Sequence, residues 1–405
     1  MANQLKVLSI GLDDTLLMDD SHARGDTAAR QLKYAQQLGW LDMIVFTRRG
    51  STPARRELAP NACVNATSSR HGMFYVRDAL RLSEAIRCKR GPPDIVITQD
   101  PFLTGWVGYV LRRRWGVGLN VQLFSSFLDN PHWLSERPAN RLLNLLGKFT
   151  VKAADTVRVE SSVEKQHLAT LGVPEQRVWV IPLLYNLQRF ERADGATIRA
   201  RYIDASYDEM VLFVGRLAPE KDIPTLLRAV PLLAQRRPGV RVVIVGQGQE
   251  NARLHKMASE MGLAERVVFA GRVGSEELPS YFRACDVFVL PSIYEGIPTV
   301  LVEAAASGKP VVSTRTRNVE DVVQDGQTGY IVPVRDPPSL AEALARVLAD
   351  PAHAAQMGEA GHEWVQTHFA PEKVMADLQS MWQATAVYAR ARSRADNSAV
   401  SRADP

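Results

Sequence analysis

EMVLFVGRLAPEKDIPTLL, residues 209–227, sets an apolar run, a glycine, two cations and the start of a helix in direct succession. EMVLFVG (209–215) has the length and content of a buried strand. DIPTLLRAVPLLAQRR (222–237) repeats its apolar residues at helical spacing. Strand, turn and helix make half of a βαβ unit. The pattern continues downstream in VRVVIVG (240–246), RVVFAG (266–271), DVFVLP (286–291), KPVVST (309–314) and TGYIVPV (328–334), with SLAEALARVLAD (339–350) as a further helix. Upstream the same rhythm runs through LKVLSIG (5–11), the helix DTAARQLKYAQQL (26–38), DMIVFT (42–47), DIVIT (94–98), NVQLF (120–124), DTVRV (155–159) and RVWVIP (177–182). The chain therefore reads as α/β, with a mainly parallel sheet in each half.

The length of 405 residues fits two or three domains. We place domains at 1–185 and 186–370, with the junction in PLLYNLQRFERADGAT (182–197), a last helix at 371–390 and a small, polar, disordered tail at 391–405. A hydrophobic content of 46% and a charged content of 23% are those of a soluble globular chain. No apolar run reaches the roughly 18 residues of a membrane span, and MANQLKVLSIGLDD is not a signal peptide. Cys63, Cys88 and Cys285 are scattered, which suits a reducing cytosol better than a zinc site or disulfide framework. Residues 1–190 carry a net charge of +8 and the remainder −3, so a basic half faces an anionic partner.

In the opening stretch, Arg216 and Lys221 flank the start of a helix, whose end carries partial positive charge and free N–H groups. They make a clamp for a diphosphate or, on the other reading, a solvated pair in a turn. In IYEGIPTVLVEAAASGKPVV (293–312), Glu295 and Glu303 stand eight residues apart around a glycine–proline turn and a helix running to about Gly308. Glu303 falls near two turns in and points back toward the helix start. Two carboxylates for sugar hydroxyls, with helix-start N–H groups between them, suit a nucleotide sugar. The plainer reading is a helix cap and one exposed glutamate.

These segments occur together, and VGRLAPEKD, VIVGQGQE, VVFAGRV, DVFVLPSIYEGIPTVLVEAAASGKPVV and DGQTGYIVP keep their order over 209–350. In this the chain strongly resembles the retaining group-1 glycosyltransferases of GT-B fold. The resemblance implies two Rossmann-like domains facing each other across a cleft, a C-terminal helix crossing back to the first domain, and closure about a hinge near 182–197. It implies that Arg216 and Lys221 hold the donor diphosphate, that Glu295 contacts the donor sugar, and that Glu303 holds the ribose hydroxyls. It also implies backbone contacts to phosphate and sugar from Gly296, Ile297, Pro298, Thr299, Val300 and Leu301. Gly215 begins the first loop, Arg272 and Val273 match the loop beside the base, and Gly25 matches an N-domain glycine loop. A retaining, metal-independent transfer of a hexose from a UDP- or GDP-sugar follows, with no cofactor. The acceptor implied is a saccharide or lipid-linked hydroxyl in polysaccharide or glycolipid assembly at the cytoplasmic face of the membrane. One departure stands out. Where many relatives have a histidine after the NVQLF strand, this chain has Phe124, Ser125 and Ser126, with His132 farther on. That departure motivates the rival reading, a non-catalytic nucleotide-sugar-binding or scaffold subunit.

Other signals lead elsewhere. SIGLDDTLLMDD (9–20) resembles the opening of a haloacid-dehalogenase-type phosphatase, but the attacking aspartate would fall at Gly11. The G-x-G of VIVGQGQE lacks the third glycine of a dinucleotide fingerprint, which would fall at Asn251. The eight histidines form no metal-binding pair. Epimerase chemistry would need acid/base groups that the sequence does not present, and no nucleic-acid recognition motif is evident. WVGYVLRRRWG (106–116) and RPANRLLNLLGKFTVKAAD (137–155) mix leucines and aromatics with arginines and lysines. Composition alone favours domain helices with a solvated basic face, while the resemblance, whose members often glycosylate lipid-linked acceptors, implies a peripheral contact with anionic membrane as an alternative.

Overall fold

The computed structural model describes residues 4–18, 27–124, 127–295 and 298–401, with the backbone alone from 393. It divides into two compact units, residues 1–184 with 371–405, and residues 185–370.

Among the described residues the first unit holds eight strands: β1 Lys6–Gly11, β2 Trp40–Val45, β3 Arg55–Ala59, β4 Ala62–Ala66, β5 Ile95–Thr98, β6 Gly118–Leu123, β7 Thr156–Val159 and β8 Val178–Val180. Their order is β3-β4-β2-β1-β5-β6-β7-β8. Every pairing is parallel except β3 with β4. β1, β2 and β5 to β7 are almost wholly buried, as strands covered on both faces must be, with Asp42, Asn120, Gln122 and Arg158 buried among their apolar residues. One face packs against the helices Tyr75–Arg90, Leu103–Trp115 and Ala139–Ala153.

The other face is closed by the last helix, through Val374, Leu378, Met381, Trp382 and Ala386. Trp382 meets Tyr34 edge-on at 5.7 Å. The hydroxyls of Thr385 and Thr156 lie 2.7 Å apart. Gly118 admits this helix, since a Cβ there would stand 2.8 Å from the Thr385 carbonyl oxygen. The helix runs Pro371–Ser401, past the 371–390 expected for it and into the tail expected to be disordered, whose residues 402–405 lie outside the described residues. ARSRADNSAVS contains no glycine or proline to stop it, and alanine and arginine favour helix. Arg392 also bonds to Asp155 and to the carbonyl of Val117, tying this part of the helix to the sheet.

The second unit holds β9 Glu209–Val214, β10 Val240–Val245, β11 Val267–Gly271, β12 Val287–Leu290, β13 Val311–Thr314 and β14 Gly329–Val332. All are parallel, in the order β11-β10-β9-β12-β13-β14. The helix Ile223–Arg236 buries Ile223, Leu226, Leu227, Val230 and Leu233, a single face at helical spacing.

Cys63 and Cys285 are buried and Cys88 is exposed. Burial pushes the Cys285 thiol up to about 12, so little reactive thiolate forms near neutrality. Titration of the native protein with a disulfide reagent is expected to count one fast thiol, Cys88, and all three after denaturation. A second fast thiol would show that one of the two interiors opens readily.

Candidate functional site

β9 and β12 are neighbours at the middle of the second sheet, but the chain leaves them toward opposite edges. In open parallel sheets that switch point, at the carboxyl ends of the strands, leaves a crevice for a ligand. The residues singled out from the sequence come from the two loops that border it.

The loop after β9 is held down along its length. The amides of Gly215 and Leu217 donate to the carbonyls of Val245 and Gln247 at 3.0 and 3.1 Å, and the Glu250 amide donates to Leu217 at 2.9 Å. Close backbone approach makes this possible. Gly246 has φ +143°, and a Cβ there would stand 1.8 Å from the Gly215 carbonyl oxygen. A Cβ on Gly248 would stand 2.2 Å from that of Leu217. The G-x-G after β10 therefore serves to seat the neighbouring loop. Pro219–Lys221 form a 3-10 turn, and Asp222 takes a left-handed conformation (φ 43°) before the helix opens at Ile223. Lys221 thus sits in the turn before the helix rather than at its first residue.

The loop after β12 docks on the first. The Ile293 amide donates to the Glu220 carbonyl at 2.8 Å, and the Thr314 hydroxyl holds the Ser292 carbonyl at 2.5 Å. Lys221 Nζ and the Ser292 hydroxyl both bond to Oε1 of Glu295, the hydroxyl at 2.6 Å. Lys221 and Glu295 are 14% and 11% exposed, so the ion pair bridging the loops is largely shielded from water. Arg216 differs. Its side chain is 73% exposed, and one end of its guanidinium reaches Glu220 at 2.8 Å. The two cations expected to act as a matched pair are separate devices, one enclosed against a carboxylate and one extended into solvent.

Glu303 is the fifth residue of the helix Thr299–Ala306, a little over one turn in rather than two, and is half-buried. Pro298 is buried at the helix start, and Thr299 and Val300 are half-buried in its first turn. The Leu301 side chain is in the core, and its amide already donates to the Pro298 carbonyl at 2.9 Å. Gly271 (φ 72°) ends β11, its carbonyl held by the Gly246 amide at 2.8 Å, and the exposed Arg272 and half-buried Val273 follow it. Gly25, Gly296 and Ile297 lie outside the described residues. Sequence reading passed over Ser292 and Glu220. Their signals were a hydroxyl three residues before Glu295 and the acid within APEKD.

In the first unit, Gly11 ends β1, and a Cβ there would stand 2.1 Å from Oε1 of Gln99. Asp13 accepts from the Thr15 amide and hydroxyl, capping the turn Asp14–Leu17. The acidic stretch is a capped turn, and the phosphatase nucleophile has neither side chain nor space. Phe124 follows β6 with its ring 5.3 Å from the Arg158 guanidinium, which is anchored on the Ile181 carbonyl. Ser125 and Ser126 lie outside the described residues. His132 is exposed on the short helix Pro131–Glu136.

A parallel sheet of this strand order, with a cation–carboxylate pair bridging the loops at its switch point, is a doubly wound α/β domain with a polar crevice at the carboxyl ends of its strands. The sequence matches the family profile "Glycosyl transferases group 1" over residues 196–364 and "Glycosyl transferase 4-like domain" over 25–183. The chain is 33% identical over 345 residues to a D-inositol 3-phosphate glycosyltransferase of Streptomyces scabiei, covering 79% of this chain and 77% of that one. It belongs to the group-1 glycosyltransferase family. Two other relatives are matched over little more than half their length. The D-inositol 3-phosphate glycosyltransferase of Streptomyces avermitilis is 36% identical, over 64% of this chain and 59% of that one. A GDP-mannose-dependent phosphatidylinositol monomannoside mannosyltransferase of Mycolicibacterium smegmatis is 35% identical, over 52% and 57%. The fold is GT-B. It superposes on sucrose-phosphate synthase of Thermosynechococcus elongatus with TM-score 0.79 and 26% identity over 93% of this chain and 98% of that one. It also superposes on Anabaena HepE, solved with UDP-glucose, with TM-score 0.73 and 18% identity over 93% and 99%.

Proposed function

We propose that this chain is a glycosyltransferase that moves a hexose from a UDP- or GDP-sugar to an acceptor hydroxyl with retention at the anomeric carbon. The observation that carries the reading is the shielded Lys221–Glu295 pair across the switch point of the second sheet, with Arg216 extended beside it. Cleavage of the sugar–phosphate bond leaves an oxocarbenium-like sugar and gathers negative charge on the departing diphosphate. Fixed cations aimed at that charge lower the barrier without rearranging during the reaction. Lys221 and Arg216 supply them. Glu295, steadied by Ser292, accepts donor-sugar hydroxyls, and Glu303 accepts those of the ribose. The first amides of the helix at Thr299 and Val300 are of the kind that have no partner within a helix and suit phosphate. Loss of the diphosphate needs no metal in this scheme.

Relatives whose names specify inositol phosphate or phosphatidylinositol mannoside support a saccharide, polyol or lipid-linked acceptor. The test is thermal-shift stabilisation by UDP, GDP, ADP and their common sugar conjugates. One nucleotide family is expected to raise the melting temperature, and Arg216→Ala to remove most of that shift. No shift from any nucleotide at saturation would favour the non-catalytic scaffold reading that Phe124 first motivated.

A further inference from the structure

Arg158 is 1% exposed, the largest fully buried side chain among the described residues, and it stands on β7 between β6 and β8. A guanidinium keeps its charge, so enclosing one is costly unless its donors are used. Here Nε donates to the Ile181 carbonyl at 2.9 Å and Nη2 to the Pro182 carbonyl. Cζ lies 5.3 Å from the centre of the Phe124 ring. Among the described residues these are the partners of its side chain, and none is a carboxylate.

The guanidinium is also fixed from below. Arg158 pairs in register with Gln122 of β6 and Trp179 of β8. Side chains alternate along a strand, so Asn120, Gln122, Thr156 and Arg158 share one face of the sheet. Gln122 donates to Asn120 at 3.2 Å and Asn120 to the Thr156 hydroxyl at 2.9 Å, and that hydroxyl meets Thr385 of the last helix. One arginine at the top of this polar ladder spans the carboxyl ends of three strands. Phe124 follows β6 where many relatives carry a histidine. Ile181 and Pro182 begin a stretch, 181–186, that forms neither helix nor strand, and the first unit ends within it at 184. An apolar side chain of similar length would fill the space without the cost of enclosing a charge, so what the guanidinium adds is fixed geometry.

We infer that Arg158 is a positioning residue of the transfer reaction, holding the Phe124 ring and the start of the connector in one fixed relation. Enclosed as it is, it touches no reacting atom and acts through those two. The inference rests on the transferase reading proposed above.

The test uses the full chain and the nucleotide sugar whose nucleotide raises the melting temperature. At saturating donor, Arg158→Met is expected to lower turnover about 10–100-fold, the scale set by a small displacement of reacting groups. Nucleotide affinity, which belongs to the second unit, should stay within about twofold, so the loss falls on kcat. Arg158→Lys should recover part of the rate, because an ammonium can reach one carbonyl but lacks the fork. Phe124→Leu should also slow turnover, and the double variant should be no slower than Arg158→Met, because the two side chains act as one unit. Hydrogen exchange reads the anchor without any activity. The segment 181–186 of Arg158→Met should exchange at least about tenfold faster, with β1 and β2 as protected as in the parent. Unchanged exchange at 181–186 would overturn the inference. So would a variant that loses stability but turns over, per folded molecule, like the parent, since Arg158 would then only prop a strand end. A parent that binds nucleotide but consumes no donor would sink the transferase reading instead, and the exchange comparison would still decide whether Arg158 holds the connector.

Discussion

Lys221→Ala is expected to lower kcat by about 10²–10³-fold, the usual cost of removing one preorganised donor from a developing anion. The ammonium is fixed before any donor arrives. It is mostly shielded from water and shares Oε1 of Glu295 with the Ser292 hydroxyl. Shielding strengthens its field and spares it reorganisation. The same shielding links activity to stability. Without Lys221, the Glu295 carboxylate keeps the Ser292 hydroxyl but loses its counter-charge, for about 1–3 kcal/mol of stability. Glu295→Gln in the Lys221→Ala background should therefore recover melting temperature and leave activity low. Melting curves and a donor-consumption assay on the single and double variants measure both. Activity within a few-fold of the parent in Lys221→Ala would remove this residue from the site.

Arg216→Ala should be as damaging to transfer, again about 10²–10³-fold, yet nearly silent in stability. Its side chain is 73% exposed and its partner Glu220 is a four-residue neighbour. Such exposed pairs contribute only about 0.3–0.5 kcal/mol. Arg216→Lys should recover only part of the rate, because the ammonium keeps the charge and loses the planar fork that can span two phosphate oxygens. The contrast between the variants is the informative result. Equal loss of stability in both would mean that Arg216 is part of the frame.

The alternating strands and helices were legible because buried parallel strands are short apolar runs and each covering helix repeats its own face. The β3–β4 hairpin was not. RRELA and ACVNA mix arginine, glutamate and asparagine with small residues, and β3 is an exposed edge. The motif residues were legible as types at a spacing, but their relation was not. Arg216 and Lys221 look interchangeable in the sequence, and only the docking of the Ser292–Glu295 loop on Glu220 encloses one and leaves the other in solvent. The orientation of the helix Ala139–Ala153 was also not legible: its buried side carries Asn140, Asn144 and Thr150 beside Gly147 and Val151, while Leu142 and Leu145 are exposed, so apolar periodicity alone does not say which side meets the rest of the unit.

The return of the last helix to the first sheet bears on how the chain is made. Residues 185–370 are continuous and can complete their core once they have emerged. The first unit cannot. The sheet face bearing Val7, Met43, Ile95 and Ile97 is covered by Val374, Leu378, Met381 and Trp382. At ordinary synthesis rates those residues follow residue 184 by on the order of ten to forty seconds. For that interval a nascent sheet shows apolar surface to its surroundings, and a chaperone has a defined window in which to act. The unit that begins first finishes last.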